Sequence, residues 1–369
     1  MSYELSEQQI KSREQILKYI KNHLANNSYR IETEGIIKHE DIKACKDSGI
    51  WDLVLEDGTD WVTKVTLLSE IAKTSPSFAA IFTDLILSKA ILVKDLNQHF
   101  YATAFVEEEA GSDLTRIQTD ARETKDHWIL SGEKWFVANL HLAETLLVLA
   151  KTPEQSYAIF LVPKDSDGLI LEEQKKMGLE GLKLSKIVFN DVSIPKSSLI
   201  ISLGNSIEGL NQANMLAKLS IASLAIGISE AALRESLERA RTRQQFGNAI
   251  GEFQAIQFKI ADMTVGINGA KTLLYLAAQK LDRKEDIATE AAMAKVYSTE
   301  AAGRAVNHAV QIHGAHGVLT DSTVSQLYRS QRLTEIFGQT SEMQRIAIAK
   351  HVINTIGVNE REVNYGLSL

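Results

Sequence analysis

"RTRQQFGNAIGEFQAIQFKIADM", residues 241–263, decides how the rest of the chain is read. Arg243, Phe246 and Gly247 fall within five residues, a grouping able to grip a phosphate and cover an aromatic ring. The plainer reading is a solvated helix end closed by Gly247 as a glycine cap. On either side the sequence is helical. "NMLAKLSIASLAIGISEAALRESLERARTR" is a long Ala/Leu/Ile run with Glu and Arg crowded toward its end, and "IATEAAMAKVYSTEAAGRAVNHAVQIHG" follows at similar length. Three or four such helices with short connections predict a bundle over residues 205–369.

Outward from the bundle the character changes. "HWILSGEKWFVAN", "ETLLVLAKT", "SYAIFLVPKDSDGLILEEQ" and "LSKIVFNDVSIP" are short apolar or alternating runs broken by turn residues. Pro153, Pro163 and Pro195 all fall here, which predicts a β-domain over residues 100–204. Residues 1–99 read as helical. Ile10, Ile16, Leu17 and Ile20 are expected close to one helix face, and a helical pair is expected to break near Pro76. The fold class is therefore α+β: helices, a β-domain, then a helical bundle.

The 369 residues suffice for two or three domains with a sizeable core. Only four prolines favour helix, and a net charge of −7 argues against a nucleic-acid partner, which needs a basic face. No run of 18 apolar residues is evident, so no membrane span is expected. The start "MSYELSEQQI" lacks the basic-then-apolar pattern of a signal peptide. Cys45 is the only cysteine, which excludes an intrachain disulfide. A reducing, cytoplasmic setting is the expectation.

No G-x-G-x-x-G, no G-x-x-x-x-G-K-S/T and no G-x-S-x-G element is present. His313 and His316 in "HGAH" have no third ligand nearby and are read as lining a turn, so no metal is expected. In "FVEEEAGSDL", residues 105–114, small residues let the backbone approach a ligand, although an acidic loop would look the same. In "QIHGAHG", residues 311–317, Gln311 supplies amide donors and the glycines leave room, although a helix break would too.

Taken together these stretches resemble the acyl-CoA dehydrogenase family. "EEEAGSD" is similar to its E-P-G-A-G-S-D signature, and residues 241–263 to its R-x-x-F-G…F-Q…A-D-M segment. "QIHGAHG" resembles the family's Q-x-x-G-G-x-G turn. "YRSQRLTEIFGQTSEMQR" resembles its Y-R-D-x-R…G-T-S-E-x-Q-R ending, and "KKMGLEGLKLSKIVFNDVSIP" its β-domain. Five motifs in the right order span residues 100 to 350, while the N-terminal helices agree in type only.

The resemblance implies non-covalently bound FAD and an acyl thioester substrate, with the oxidoreductase chemistry supplied by the flavin. Carried over by position, it sets Phe105, Val106, Gly111 and Ser112 along flavin and substrate, and Phe136, Val137 and Ala138 against the isoalloxazine ring. Arg243, Phe246, Gln254, Gln311, Gly314 and Ala315 would reach a neighbouring subunit's FAD, and Thr340 and Glu342 the same subunit's own. Ser112, Lys218, Phe337 and Gly338 would line the substrate. Shared sites imply a homodimer or homotetramer. The electron acceptor would be an electron-transfer flavoprotein or oxygen, and the thiol carrier coenzyme A or an acyl carrier protein.

The departures lie at the reaction centre. The family's catalytic glutamate occupies one of two positions, which here hold Gly338 and Ala217; Glu335 is the weak remaining candidate. Val106 and Ala138 stand where the family usually has threonines, and Phe136 where it has a tryptophan, although Trp135 is adjacent. The reading is a divergent FAD-dependent dehydrogenase oxidising a hydroxy-, amino- or aldehyde-bearing acyl group, as in polyketide extender-unit pathways. The alternatives are a flavin monooxygenase on the same scaffold and a non-catalytic flavoprotein. Lys183 and Lys186 are read as solvated.

Overall fold

The computed structural model describes residues 5–92, 100–153, 156–204 and 210–356. Six helices come first: α1 (Glu7–Tyr19), α2 (Ala25–Tyr29), α3 (His39–Asp47), α4 (Ile50–Leu55), α5 (Trp61–Thr74) and α6 (Pro76–Leu92). A capping box closes the start of α1, where Ser6 accepts from the Gln9 amide and the Gln9 side chain reaches back. Two π-helical stretches, Ile20–Leu24 and Arg30–Glu34, carry this helical segment on to Gly35. Ile16 and Tyr19 face the core, whereas Ile10 and Leu17 are exposed, so the apolar residues of this segment do not share one face as expected. Ile10 and Leu17 lie seven apart on one stripe, and the buried stripe is a third of a turn away. Pro76 opens α6 at the position where its missing N–H costs nothing.

The middle of the chain is an eight-stranded sheet. Its strands are β1 (Tyr101–Ala104), β2 (Asp120–Glu123), β3 (His127–Ala138), β4 (Thr145–Thr152), β5 (Ser156–Pro163), β6 (Leu169–Gln174), β7 (Leu184–Pro195) and β8 (Leu199–Gly204). The order is β6-β7-β3-β2-β4-β5-β8, with β1 pairing parallel to β4. β3 and β7 run antiparallel along most of their length with two register shifts, one of them between Lys134 and Val137.

The last part holds α7 (Asn211–Thr242), α8 (Gln254–Asp282), α9 (Ala288–His313), α10 (Thr323–Ile336) and α11 (Ser341–Ile356). α7 to α10 form a four-helix bundle, and α11 packs on α9. α7 has the length and composition to cross a membrane, contrary to the reading of the bare sequence, but 83% of its most apolar window is buried inside the protein. It touches α5, α6, α8, α9 and α10. The approach to α5 is close because Gly227 has no side chain: a Cβ there would meet the Ala72 Cβ at 2.5 Å.

The segment from Lys176 to Lys183 ties the three parts together. The Leu179 amide donates to Ser330 Oγ of α10 at 2.9 Å, and the Gly181 amide to Ser77 Oγ of α6 at 3.2 Å. Ser77 is itself held by Glu32, which accepts from its amide at 2.9 Å and its hydroxyl at 2.8 Å. Burial pushes the Glu32 carboxyl up to about 7, against the pull of these donors. Burial likewise pushes up Asp84 on α6 to about 7.

An ordinary glutamate loses its proton near 4.3, so between about pH 4.5 and 7 the native state holds a proton the unfolded chain has lost. Stability from Glu32 is therefore full below that window and is lost as pH rises through 7. Thermal unfolding from pH 5 to 7.5 should show wild type losing on the order of 2 kcal/mol more than Glu32→Gln. Parallel pH profiles would show that Glu32 does not titrate in this window.

Candidate active site

The wall of the site is set by a buried ion pair. Lys134 of β3 is fully buried and donates to Glu107 at 2.8 Å and to the Phe105 carbonyl at 3.0 Å. Glu107 also accepts from the Thr119 amide at 2.9 Å and from the Gln118 amide. Burial opposes its charge, but Lys134 and these donors together hold the Glu107 carboxyl below the usual range. Glu107 and Ala110 exchange backbone hydrogen bonds, which closes the "EEEA" turn and leaves Gly111 and Ser112 exposed beyond it. The Trp135 amide donates to the Val106 carbonyl at 2.9 Å. Phe105 and Val106 are thereby fixed against the end of β3.

At that end the strand bulges. Phe136 takes a left-handed φ of 57°, and the extra residue turns its ring outward to 50% exposure between buried Lys134 and Val137. Its amide donates to Gln174 Oε1 at 3.0 Å. A non-glycine residue in this region stores strain, and such strain concentrates where a ligand is clamped. Trp135 is held by Lys186, 4.6 Å above its ring, and Lys186 also pairs with Glu133 at 2.7 Å. Lys186 is therefore not the free, solvated lysine of the sequence reading, while Lys183 has only a 3.6 Å contact with Glu173.

Ala138, Leu216 and Phe337 are half-buried and each packs against the large core that the helical parts share. Gly338 follows Phe337 with a φ of 59°, and a Cβ there would meet Ile221 Cδ1 at 2.4 Å. Ile221 is one helical turn after Ala217, so Ala217 and Gly338 both border the Ile221 side chain. Lys218, beside Ala217, is buried. Glu335 is turned away: it accepts from Gln331 at 2.8 Å, pairs with Arg332, and lies against Gly303 of α9. Lys295 of α9, also buried, donates to the Glu335 and Gln339 carbonyls and fixes the turn. Glu342 is exposed in the first turn of α11, and Thr340 just before that helix is half-buried.

The remaining residues lie at the other end of the bundle. Gly247 is not a helix cap. α7 ends at Arg243, and Phe246 and Gly247, both at positive φ, form the turn of a hairpin between β9 (Gln244–Gln245) and β10 (Asn248–Ala249). This is the mirror-image turn that suits strand twist. It leaves Phe246 93% exposed. Gln254 opens α8, and Gln311, Gly314 and Ala315 lie exposed where α9 ends, with Gly314 at a φ of 62°. Arg243 is 26 residues beyond Ala217, about 39 Å along the helix, so within one chain the two groups are far apart.

The first group suits a flat ring with a polar edge, such as the FAD that the sequence implies. Phe136 offers an exposed face, and both amide atoms of buried Asn139 lack partners next to Ala138. Ser341 Oγ, at the start of α11, is likewise buried and unpartnered. Such orphaned groups are expensive unless a ligand or water meets them. The sequence reading passed over Asn139, Ile221, Lys134 and Lys295. A lysine inside the alanine-rich run "AAMAKVYSTEAAG" was the one visible signal, for Lys295.

Residues 102–192 match the family description "Acyl-CoA dehydrogenase, middle domain" and residues 210–353 "Acyl-CoA dehydrogenase, C-terminal domain". The chain is 33% identical to a 3-(aryl)acrylate reductase of Clostridium sporogenes, over 80% of this chain and 84% of the relative. It is 30% identical to a probable acyl-CoA dehydrogenase of Bacillus subtilis, over 96% and 100%. Among solved structures, the butyryl-CoA dehydrogenase of Megasphaera elsdenii superposes with a TM-score of 0.89 at 25% identity, covering 96% of this chain and 100% of that one.

Gly338→Ala should cost about 1–2 kcal/mol, because alanine resists the left-handed conformation and its Cβ displaces Ile221. Adding Ile221→Val should recover part of that loss in denaturant unfolding. No cost in the single variant would mean that the turn does not hold this conformation.

Proposed function

Because this chain belongs to the acyl-CoA dehydrogenase family, we propose that it is an FAD-dependent oxidoreductase whose acyl thioester carries a hydroxyl, amine or aldehyde at the reacting carbon. The observation that supports the substrate assignment is Ile221 Cδ1 standing where a side chain at 338 would begin. Abstraction of an α-proton from an unsubstituted acyl group needs a positioned base. With glycine and alanine at the two family positions, a heteroatom that gives up its own, more acidic proton removes that need.

When bound, FAD accepts the hydride. The chain's own residues hold and enclose it: Phe136 and Ala138 line the ring while Val137 anchors the strand between them in the core, Phe105, Val106, Gly111 and Ser112 border ring and substrate, and Thr340 and Glu342 approach from α11. Arg243, Phe246, Gln254, Gln311, Gly314 and Ala315 reach the FAD of a second copy. The 39 Å between the two groups favours this sharing, and with it a homodimer or homotetramer. Ser112, Lys218, Phe337 and Gly338 face the acyl group. An acyl carrier protein or coenzyme A bears the thioester, and polyketide extender-unit biosynthesis is the proposed setting. The likeness to an aryl acrylate reductase favours a second reading, reduction of an unsaturated thioester by the same site.

Anaerobic stopped-flow separates these readings. The flavin should bleach with a hydroxyacyl thioester and hardly at all with butyryl- or octanoyl-CoA, since a general base is worth about a hundred- to ten-thousandfold. Rapid bleaching by butyryl- or octanoyl-CoA would mean that a base exists elsewhere. Reoxidation of reduced flavin by an aryl acrylyl thioester, without any reaction of the hydroxyacyl compound, would select the second reading.

Arg243→Ala should weaken FAD binding about ten- to hundredfold through loss of a charge-assisted contact. Unchanged FAD affinity would remove the assignment of Arg243 to a neighbour's cofactor.

A further inference from the structure

Four lysines are buried among the described residues: Lys64, Lys134, Lys218 and Lys295. Lys64 lies over the Trp61 ring at 5.0 Å. Lys134 meets Glu107, and Lys295 meets two carbonyls. Lys218 is 8% exposed and has neither hydrogen bond nor ion pair among the described residues, its Nζ keeping a narrow opening rather than being sealed in. Its surroundings make this costly. Burial pushes its ammonium toward the neutral form. Lys295 is close enough to feel its charge, which adds to burial in bringing Lys295 down to about 8. A buried cation without a counter-charge is kept only when something else supplies one.

The position of Lys218 indicates what supplies it. It follows Ala217 and precedes Ile221 by three residues, so it borders the helix face on which Ile221 meets Gly338. Its charge is felt by Lys295, which holds the carbonyls of the same turn. Among the described residues no carboxylate pairs with Lys218: Glu335 is engaged with Gln331 and Arg332 against α9.

We propose that Lys218 is an anion-recognition residue at the reacting end of the site and that the acyl group taken there carries a carboxylate. This rests on the acyl-thioester reading above and narrows its substrate to the monothioester of a dicarboxylic acid. The carboxylate supplies the charge that the chain withholds, and Ile221 packs against the adjoining carbons. The phosphates of a pantetheine arm are the other source of anionic charge, but they lie many bonds from the thioester carbon, whereas Lys218 is beside Ala217.

The test is titration of the FAD-loaded protein with malonyl, succinyl and glutaryl thioesters of N-acetylcysteamine, which lack phosphate, and with their methyl esters, followed by flavin absorbance. At least one acid should bind about ten- to hundredfold more tightly than its ester. Lys218→Met should bring the acid-to-ester ratio to near one, and Lys218→Arg should keep most of the preference. Lys218→Met without ligand should melt at the same temperature or higher, since it removes an unpaired buried charge. An acid-to-ester ratio near one in wild type, or an unchanged ratio in Lys218→Met, would overturn the proposal. So would a Lys218 dependence seen only with coenzyme A thioesters, which would assign the anion to phosphate, or a much lower melting temperature in Lys218→Met, which would mean the ammonium already has a partner. Binding of the esters without preference for acids leaves the acyl-thioester reading standing; binding of no thioester at all overturns both.

Discussion

Burial of α7 on every side between Ala217 and Ser229 is the constraint from which the rest of the molecule follows. A 32-residue helix rich in Ala, Leu, Ile and Ser cannot stand in water, and α5, α6, α8, α9 and α10 all pack on it. Small residues set how closely they come, most of all Gly227 against Ala72 and Ser69. Because α7 is fixed from all directions, the positions near its start are fixed as well. Ala217, Lys218 and Ile221 are presented to the turn after α10 by a helix that has no freedom to move them.

The sheet side of the site is held by different physics. There the organising element is a charge pair, Lys134 with Glu107, buried and supplemented by backbone donors so that neither charge is left alone. Replacing such a pair by apolar residues can be neutral for stability, so stability alone does not account for it. Its consequence is geometric: it locks the strand carrying Phe136 to the loop carrying Phe105 and Val106. The bulge then turns Phe136 outward while its neighbours stay inside. A rigid support and a strained, exposed aromatic side chain are what a flat ligand requires.

Electrostatics also divides the buried cations by role. Lys134 and Lys295 each donate to two protein oxygens and serve the shape of the site, one through a carboxylate and a carbonyl and the other through carbonyls. Lys218 is the one whose charge is unanswered among the described residues. The orphaned amide of Asn139 and hydroxyl of Ser341 belong to the same pattern of buried groups left without protein partners near the site.

The order of helix, sheet and helix was legible from the sequence because periodicity, proline placement and turn residues are local. So were the five ordered motifs and the break at Pro76. They carried the family resemblance. Two local readings failed for a physical reason. Gly247 looked like a helix cap, but the chain after Arg243 forms a hairpin, since Ile250 bonds back to Arg243. Ile10 and Leu17 looked like core, but which stripe of a helix is buried depends on what packs against it. The meeting of Gly338 with Ile221 joins elements more than a hundred residues apart in the chain, and the isolation of Lys218 likewise depends on what the fold packs around it. Sequence determined which side chains are present; only the packing of α7 against the turn after α10 decided which of them meet, because contact and burial are properties of pairs that local periodicity does not encode.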